Sequence, residues 1–168
     1  AIFAQGAIRH TAVIPIAGDQ ITNDIAIAFR TSTQDAESIK LDYGVALQQL
    51  ANADEKLEVP GVGDRPSTRL SRQTLASVIQ PRAEEIFLKV QDELRKSGLE
   101  RLLRAGIVLT GGASAMSGMT QLGEEIFHNT VKLGVPAYAG KFEDVVRNPR
   151  YSTAMGLLQE GMLQKKRG

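Results

Sequence analysis

The chain contains no cysteine, which excludes disulfides and thiolate metal sites and fits a reducing compartment. Only two histidines are present. Neither His10 nor His128 has a neighbour at the spacing of a metal site or a catalytic triad, and both read as ordinary strand and helix residues. Aromatic residues make up only 5% of the chain, and Tyr43, Tyr138 and Tyr151 read as packing rings with hydroxyls at the surface. An excess of one charge is also missing. Twenty Lys and Arg face nineteen Asp and Glu, a formal net charge of +1, so there is no electrostatic case for nucleic acid as a partner. No apolar run is long enough to span a bilayer, and no signal-peptide pattern is expected within these residues. The first residue is Ala1, not Met, and residues 1–4 already read as a strand. This suggests a piece of a longer protein.

What is present is an ordinary globular composition, 42% hydrophobic over 168 residues. That is enough for one domain, or one domain with a modest insertion. Residues 107–118, IVLTGGASAMSG, carry the strongest signal. An apolar run without alternation reads as a strand buried on both faces. Gly111-Gly112 then forces a turn and lets a ligand approach the backbone. Met119, Leu122 and Ile126 keep helical spacing beyond it. A strand, glycine loop and helix in this order is how α/β proteins hold nucleotides. The short-chain dehydrogenase turn would need glycine at positions 115 and 117, where Ala115 and Ser117 stand. No Tyr-x-x-x-Lys follows either, since Met155 lies four residues after Tyr151.

Around this unit, residues 1–4 and 7–14 are strand-like, with Gln5-Gly6 as a tight turn. Ile21, Ile25 and Phe29 predict a helix over 20–29, with Asp24 favouring its dipole. A second short helix over 35–43 ends at Gly44. Strand-like pieces at 45–50, 57–59 and 68–72 suggest a small antiparallel sheet. A long helix over 75–96 carries an apolar stripe, with a kink or break expected near Gln80 because Pro81 follows. Strand 131–133 and a helix over 151–163 close the chain. Regular α/β elements at both ends flank a middle of different character, which predicts an α/β layer with an insertion.

Glu37 and Lys40 lie three apart on one helix face and can present an acceptor beside a donor. On spacing alone they read as an exposed ion pair. With a glycine loop elsewhere they become candidates for the second wall of an adenosine cleft.

AESIK, followed much later by IVLTGGAS, resembles the second large domain of the actin, sugar kinase and Hsp70 ATPase superfamily. IRHTAVIPIAGDQITNDIAIAF, SRQTLASVIQPRAEEI and NPRYSTAMGLL are similar, more narrowly, to the FtsA family of bacterial division actins. The resemblance implies an α/β, actin-like, ribonuclease-H-like half-domain with an inserted α+β subdomain. Residues 1–30 would be the first part of subdomain 2A, and 31–102 the inserted subdomain 2B. Residues 103–168 would be the second part of 2A, carrying the adenosine motif.

The same resemblance places Glu37, Lys40, Gly111, Gly112 and Ala113 on nucleotide contacts. It places Arg82 and Glu85, in QPRAEE, on a helix of 2B that binds the C-terminal tail of the tubulin-like protein FtsZ. A guanidinium suits an acidic tail, so Arg82→Glu is expected to abolish tail binding with thermal stability nearly unchanged. The intact protein is expected to bind ATP and Mg²⁺, to self-associate into actin-like polymers and to meet other division proteins during septum formation. It would tether FtsZ filaments to the cytoplasmic face of the inner membrane at the division site.

The phosphate loops, the catalytic region and a C-terminal membrane helix of the family are expected outside this segment. The segment itself therefore needs no cofactor and is expected to hold no metal, to have no catalytic residue and to carry out no hydrolysis. Lys165-Lys166-Arg167 is a basic end without the apolar face of a membrane anchor, and Ala115 stands where Hsp70-type relatives have an adenine-stacking arginine. The alternative from the same superfamily is half of an ATP-dependent small-molecule kinase.

Overall fold

The computed structural model describes residues 1–103, 105–137 and 142–167; Tyr138 lies outside them. The chain opens with a hairpin of β1 (Ile2–Ala4) and β2 (Ala7–His10), in the register Phe3↔Ile8 and Ala4↔Ala7. Gln5 and Gly6 both take positive φ, 53° and 75°, as a two-residue turn matched to strand twist requires. The expected strand to residue 14 stops at His10, because three-residue β1 leaves the rest without a partner.

Helix α1 (Gly18–Phe29) follows, and the Gln20 side chain accepts the Ala17 N–H at 2.7 Å. Helix α2 (Thr33–Tyr43) starts at Ser32, whose hydroxyl accepts the Asp35 N–H at 3.0 Å, relieving one orphan donor of the first turn. Gly44 ends it, donating to the Lys40 carbonyl at 3.0 Å. A Cβ at Gly44 would lie 2.3 Å from that same oxygen, so only glycine closes the helix here.

The expected strand at 45–50 does not form. Val45 makes one parallel bridge to Ser117, Leu47 turns inward, and residues 48–50 make a 3₁₀ turn. The antiparallel pair that does form is β3 (Lys56–Val59) with β4 (Thr68–Ser71). Ser71 then caps α3 (Arg72–Ser97), which ends at Gly98 with φ of 70°. Contrary to the expected break, α3 is one continuous helix through Pro81. The reason is burial on both sides of the proline, with Leu75, Ala76 and Ile79 before it and Ala83 and Phe87 after it.

The last third holds a parallel pair, β5 (Ile107–Leu109) and β6 (Val131–Leu133). A 3₁₀ turn at 112–115 and helix α4 (Met119–Phe127) connect them, as a parallel crossover demands. Helices α5 (Glu143–Val146) and α6 (Ser152–Arg167) complete the chain. β5 is not buried on both faces: Val108 is 66% exposed. Among the described residues no sheet exceeds two strands, so the expected α/β layer is divided. Between the β1–β2 hairpin and β5 runs an apolar groove of about 680 Å³, with Phe87 and Val90 of α3 among its lining.

Two clusters make most of the core, and α3 joins them. Leu75 and Ile79 pack with Ile21 and Ile25 of α1, Ile39 of α2, and Leu57 and Val59 of β3. One turn further on, Ala83 and Phe87 pack with Leu47, and with Met119 and Leu122 of α4. Phe127 meets Phe87 edge to face, centroids 5.5 Å apart. Burial of this kind is worth roughly 1.5–3 kcal/mol per large side chain, and it makes α3 the beam on which both halves of the site rest.

Candidate functional site

The site forms where the N-terminus of α1, the inner face of α2 and the glycine loop after β5 meet. Lys40 is only 6% exposed and is not the solvated ion-pair partner that spacing alone suggests. Its Nζ donates to Thr22 Oγ1 at 2.7 Å, to Glu37 Oε2 at 2.6 Å and to the Gly18 carbonyl at 3.2 Å. The Thr22 hydroxyl also bonds Glu37 Oε2. Burial pushes the Glu37 carboxyl up, but the hydrogen bonds from Lys40 and Thr22, with the Lys40 charge, outweigh it. Its pKa lies below the ordinary glutamate value.

The glycine loop reaches this cluster through Gly18. A Cβ built on Gly18 would sit 3.0 Å from Ala113 Cβ and 3.7 Å from Lys40 Nζ. A methyl at this junction fits only if Ala113 gives way by a few tenths of an ångström. Gly111 has φ of 93° and ψ of 166°, a region essentially restricted to glycine. Its N–H donates to the Pro149 carbonyl at 3.2 Å, and its own carbonyl accepts the Ser114 hydroxyl at 2.6 Å. The N–H groups of Gly112 and Ala113 have no acceptor among the described residues, which leaves two donors at the turn. Thr110 braces the other side through Ser152, Oγ1 to Oγ 2.6 Å. Lys40 of α2 and Ala113 of the loop, far apart in sequence, are thus both brought to Gly18.

Four residues of this arrangement were not singled out as site residues from the sequence. Thr22 is buried in the middle of α1 and gave no signal beyond its place beside an apolar stripe. Gly18 read as the end of a hairpin. Ser114 is a small buried polar residue whose role follows only from the loop conformation. Arg150 stands beside Gly112, whose added Cβ would lie 3.8 Å from Arg150 Cβ, with its guanidinium 5.5 Å from the Tyr151 ring centroid.

Arg82 and Glu85 lie in a separate cluster. Arg82 donates from Nε to Asp24 Oδ2 at 2.6 Å and from Nη2 to Asp24 Oδ1 at 3.1 Å, and from Nη1 to Glu85 Oε2 at 2.5 Å. Hydrogen bonding to Asp24 raises its pKa further above the ordinary arginine value. The guanidinium is therefore a clamp between α1 and α3. The expectation that Arg82→Glu leaves stability nearly unchanged is corrected on this ground, because the substitution would face Asp24 with another carboxylate.

His10 Nε2 lies 3.1 Å from Glu93 Oε1, and His128 ends α4 with φ of 49°. Among the described residues, no three His, Cys, Asp or Glu side chains gather as a metal set. No described helix is long and apolar enough to cross a membrane.

The family model described as "Cell division protein FtsA" matches residues 1–156. The chain belongs to the FtsA family. It is 61% identical to FtsA of Pseudomonas aeruginosa over all of its length and 40% of that protein's. It is 46% identical to FtsA of Escherichia coli K12 over 96% of the chain and 40% of that protein. With FtsA of Bacillus subtilis it shares 40% identity over 95% of the chain and 35% of that protein. The chain thus spans about 40% of the length of the Pseudomonas aeruginosa and Escherichia coli proteins.

Its fold aligns with MreB5 of Spiroplasma citri. The AMPPNP-bound structure gives a TM-score of 0.71 at 17% identity, covering 97% of this chain and 49% of that one. The ADP-bound structure gives 0.64 at 16% identity, covering 91% and 46%. The mixed α/β, actin-like half-fold expected from the sequence is borne out. Membership of the FtsA family favours the division-protein reading over the small-molecule kinase.

Proposed function

We propose that this chain supplies one wall of an adenine-nucleotide site in an actin-like division protein, and that the intact protein links FtsZ filaments to the cytoplasmic membrane. The observation that carries the nucleotide reading is the meeting of Glu37, Lys40 and Ala113 around Gly18. These residues fit a nucleoside. A carboxylate can accept from ribose hydroxyls, and the Gly112 and Ala113 N–H groups can donate to a ring nitrogen or a phosphate oxygen. The fold neighbours named above were each solved with an adenine nucleotide, which supports the same reading. ATP would supply binding energy for the polymerising state to the extent that it prefers that state.

In this reading Glu37 holds ribose, the glycine loop lets the nucleoside approach the backbone, and Gly18 keeps the floor of the cleft open. Segment 31–102 takes the FtsZ C-terminal tail at the α3 surface around Arg82 and Glu85. An acidic tail reaches the guanidinium by displacing Glu85, whose side chain is 43% exposed, rather than Asp24 at 24%. Polymer contacts, other division partners and attachment to the inner membrane at the division site belong to the longer protein in the same reading.

Calorimetric titration of an acidic-apolar FtsZ tail peptide tests the adaptor half. Micromolar binding lost in Arg82→Gln and strengthened in Glu85→Lys, which removes the competing carboxylate, supports it, and no binding by folded wild-type chain removes it. For the nucleotide half, adenosine titrated at millimolar concentration should shift the backbone amides of Gly111, Gly112 and Ala113. Unmoved amides remove that half.

A further inference from the structure

Glu37 has two carboxylate oxygens, and the structure uses them unequally. Oε2 takes both the Lys40 ammonium, at 2.6 Å, and the Thr22 hydroxyl. Oε1 accepts from no described residue. The Glu37 side chain is 44% exposed, while Lys40 beneath it is 6% exposed. Lys40 has three N–H donors, and three acceptors meet them: Glu37 Oε2, Thr22 Oγ1 and the Gly18 carbonyl. Thr22 is 4% exposed and uses its hydroxyl in both senses, accepting from Lys40 and donating to Glu37.

We propose that Thr22 is a positioning residue. With Lys40 it fixes the plane of the Glu37 carboxylate so that Oε1 alone faces a ligand hydroxyl. The proposal rests on the nucleoside reading above and deepens it by dividing the work: Glu37 touches the ligand, and Lys40 acts through Glu37. A carboxylate on an open helix face turns freely about its last torsion. Two donors on one oxygen stop that rotation before the ligand arrives, so less ordering cost falls on binding. The same two donors keep Glu37 ionised, and an ionised carboxylate is an acceptor only. It therefore selects ligands that donate, which the vicinal hydroxyls of a ribose do.

The test compares wild type, Thr22→Val and Thr22→Ser of the 168-residue chain. Valine keeps the volume and removes the hydroxyl; serine keeps the hydroxyl and guards against a mere packing defect. The first readout needs no ligand: the Glu37 side-chain carbon is titrated by NMR. Glu37 is expected to titrate at higher pH in Thr22→Val and to return toward the wild-type value in Thr22→Ser. The second readout is the affinity for adenosine and for 2′-deoxyadenosine. Thr22→Val should weaken adenosine binding roughly fivefold, the value of one hydrogen bond, and narrow its preference over the deoxy form, with serine restoring both.

An unmoved Glu37 titration in Thr22→Val overturns the proposal, as does a moved titration with unchanged adenosine affinity. Failure of the wild type to respond to adenosine overturns the nucleoside reading instead, and the Glu37 titration still reports whether Thr22 holds the carboxylate.

Discussion

Arg82 grips both carboxylate oxygens of Asp24 across 58 residues of sequence, tying the middle of α1 to the middle of α3. Two residues earlier on α1, Thr22 holds Lys40 and Glu37 of α2. One short helix therefore carries the internal partners of both candidate binding clusters. Arg82→Glu is expected to lower the melting temperature by several degrees, roughly, because Asp24 and Glu85 would then face a third carboxylate. Arg82→Lys keeps the charge and loses the fork, and should fall between the two. Thermal melts of the three proteins decide this, and unchanged melting in Arg82→Glu would remove the clamp from the account. A tail-binding defect in that variant is therefore read beside Glu85→Lys, which leaves Asp24 paired and should strengthen binding of an acidic tail.

Gly18→Ala puts a methyl 3.0 Å from Ala113 Cβ and 3.7 Å from Lys40 Nζ. The contact is tight enough that the loop or the helix must give way, at about 1 kcal/mol or somewhat more for an overpacked junction. The substitution should also separate Ala113 from the Lys40 cluster and reduce any adenosine response. Ala113→Gly in the same chain removes the colliding carbon. The double variant is expected to regain most of the lost stability in denaturant unfolding. Additive destabilisation would show that the junction is looser than the contact implies.

The parts legible in the sequence were those fixed by local chemistry. Gln5-Gly6 needs positive φ, Gly44 has no room for a Cβ, and Gly111-Gly112 follows an apolar strand; each announces itself within a few residues. The paired use of Glu37 and Lys40 was legible as spacing, though not the burial of Lys40. What Lys40 reaches, Thr22 and Gly18, lies on another helix, and no local pattern marks it. The Asp24–Arg82 clamp was hidden for the same reason, since two charges on separate amphipathic helices each read as solvated. Strand character failed where tertiary contacts won. Residues 45–50 have the right composition, but Val45 is drawn into the core against Ala76 and Leu47 beside α4, and the backbone turns. Residues 107–109 have the composition of a strand buried on both sides, yet among the described residues only β6 pairs with β5, and Val108 stays exposed.

Pro81 sits inside α3 on its exposed side. It removes the amide bond to the Ser77 carbonyl and crowds the preceding turn, while burial on both sides holds the helix together. Pro81→Ala restores the missing donor. An interior proline costs about 3 kcal/mol in a helix, and stiffening of the unfolded chain returns up to about 1 kcal/mol of that. The variant should therefore be more stable by roughly 2–3 kcal/mol in urea unfolding. Loss of stability would mean that Pro81 itself is needed for the fit of Ala83 and Phe87 beneath α4.

The Glu37 carboxyl supplies a pH signature. Its folded pKa lies below the ordinary glutamate value of about 4.3. The unfolded chain therefore binds a proton at that site before the folded chain does as pH falls. The sign follows from this: the contribution to stability is complete above the ordinary glutamate range and declines as the pH drops through the folded value. Because the side chain is partly exposed, solvent reduces the size of the effect but not its direction. Glu37→Gln keeps the shape and removes the charge, and leaves the buried Lys40 ammonium without its counterion. At neutral pH the wild type should be the more stable of the two. That difference should shrink steadily between about pH 5 and pH 3, the interval around the carboxylate range. Urea unfolding at a series of pH values reads it directly. A wild-type advantage that stays constant across the interval would place the Glu37 charge outside the energetics of the site and leave its hydrogen-bonding shape as the whole of its role.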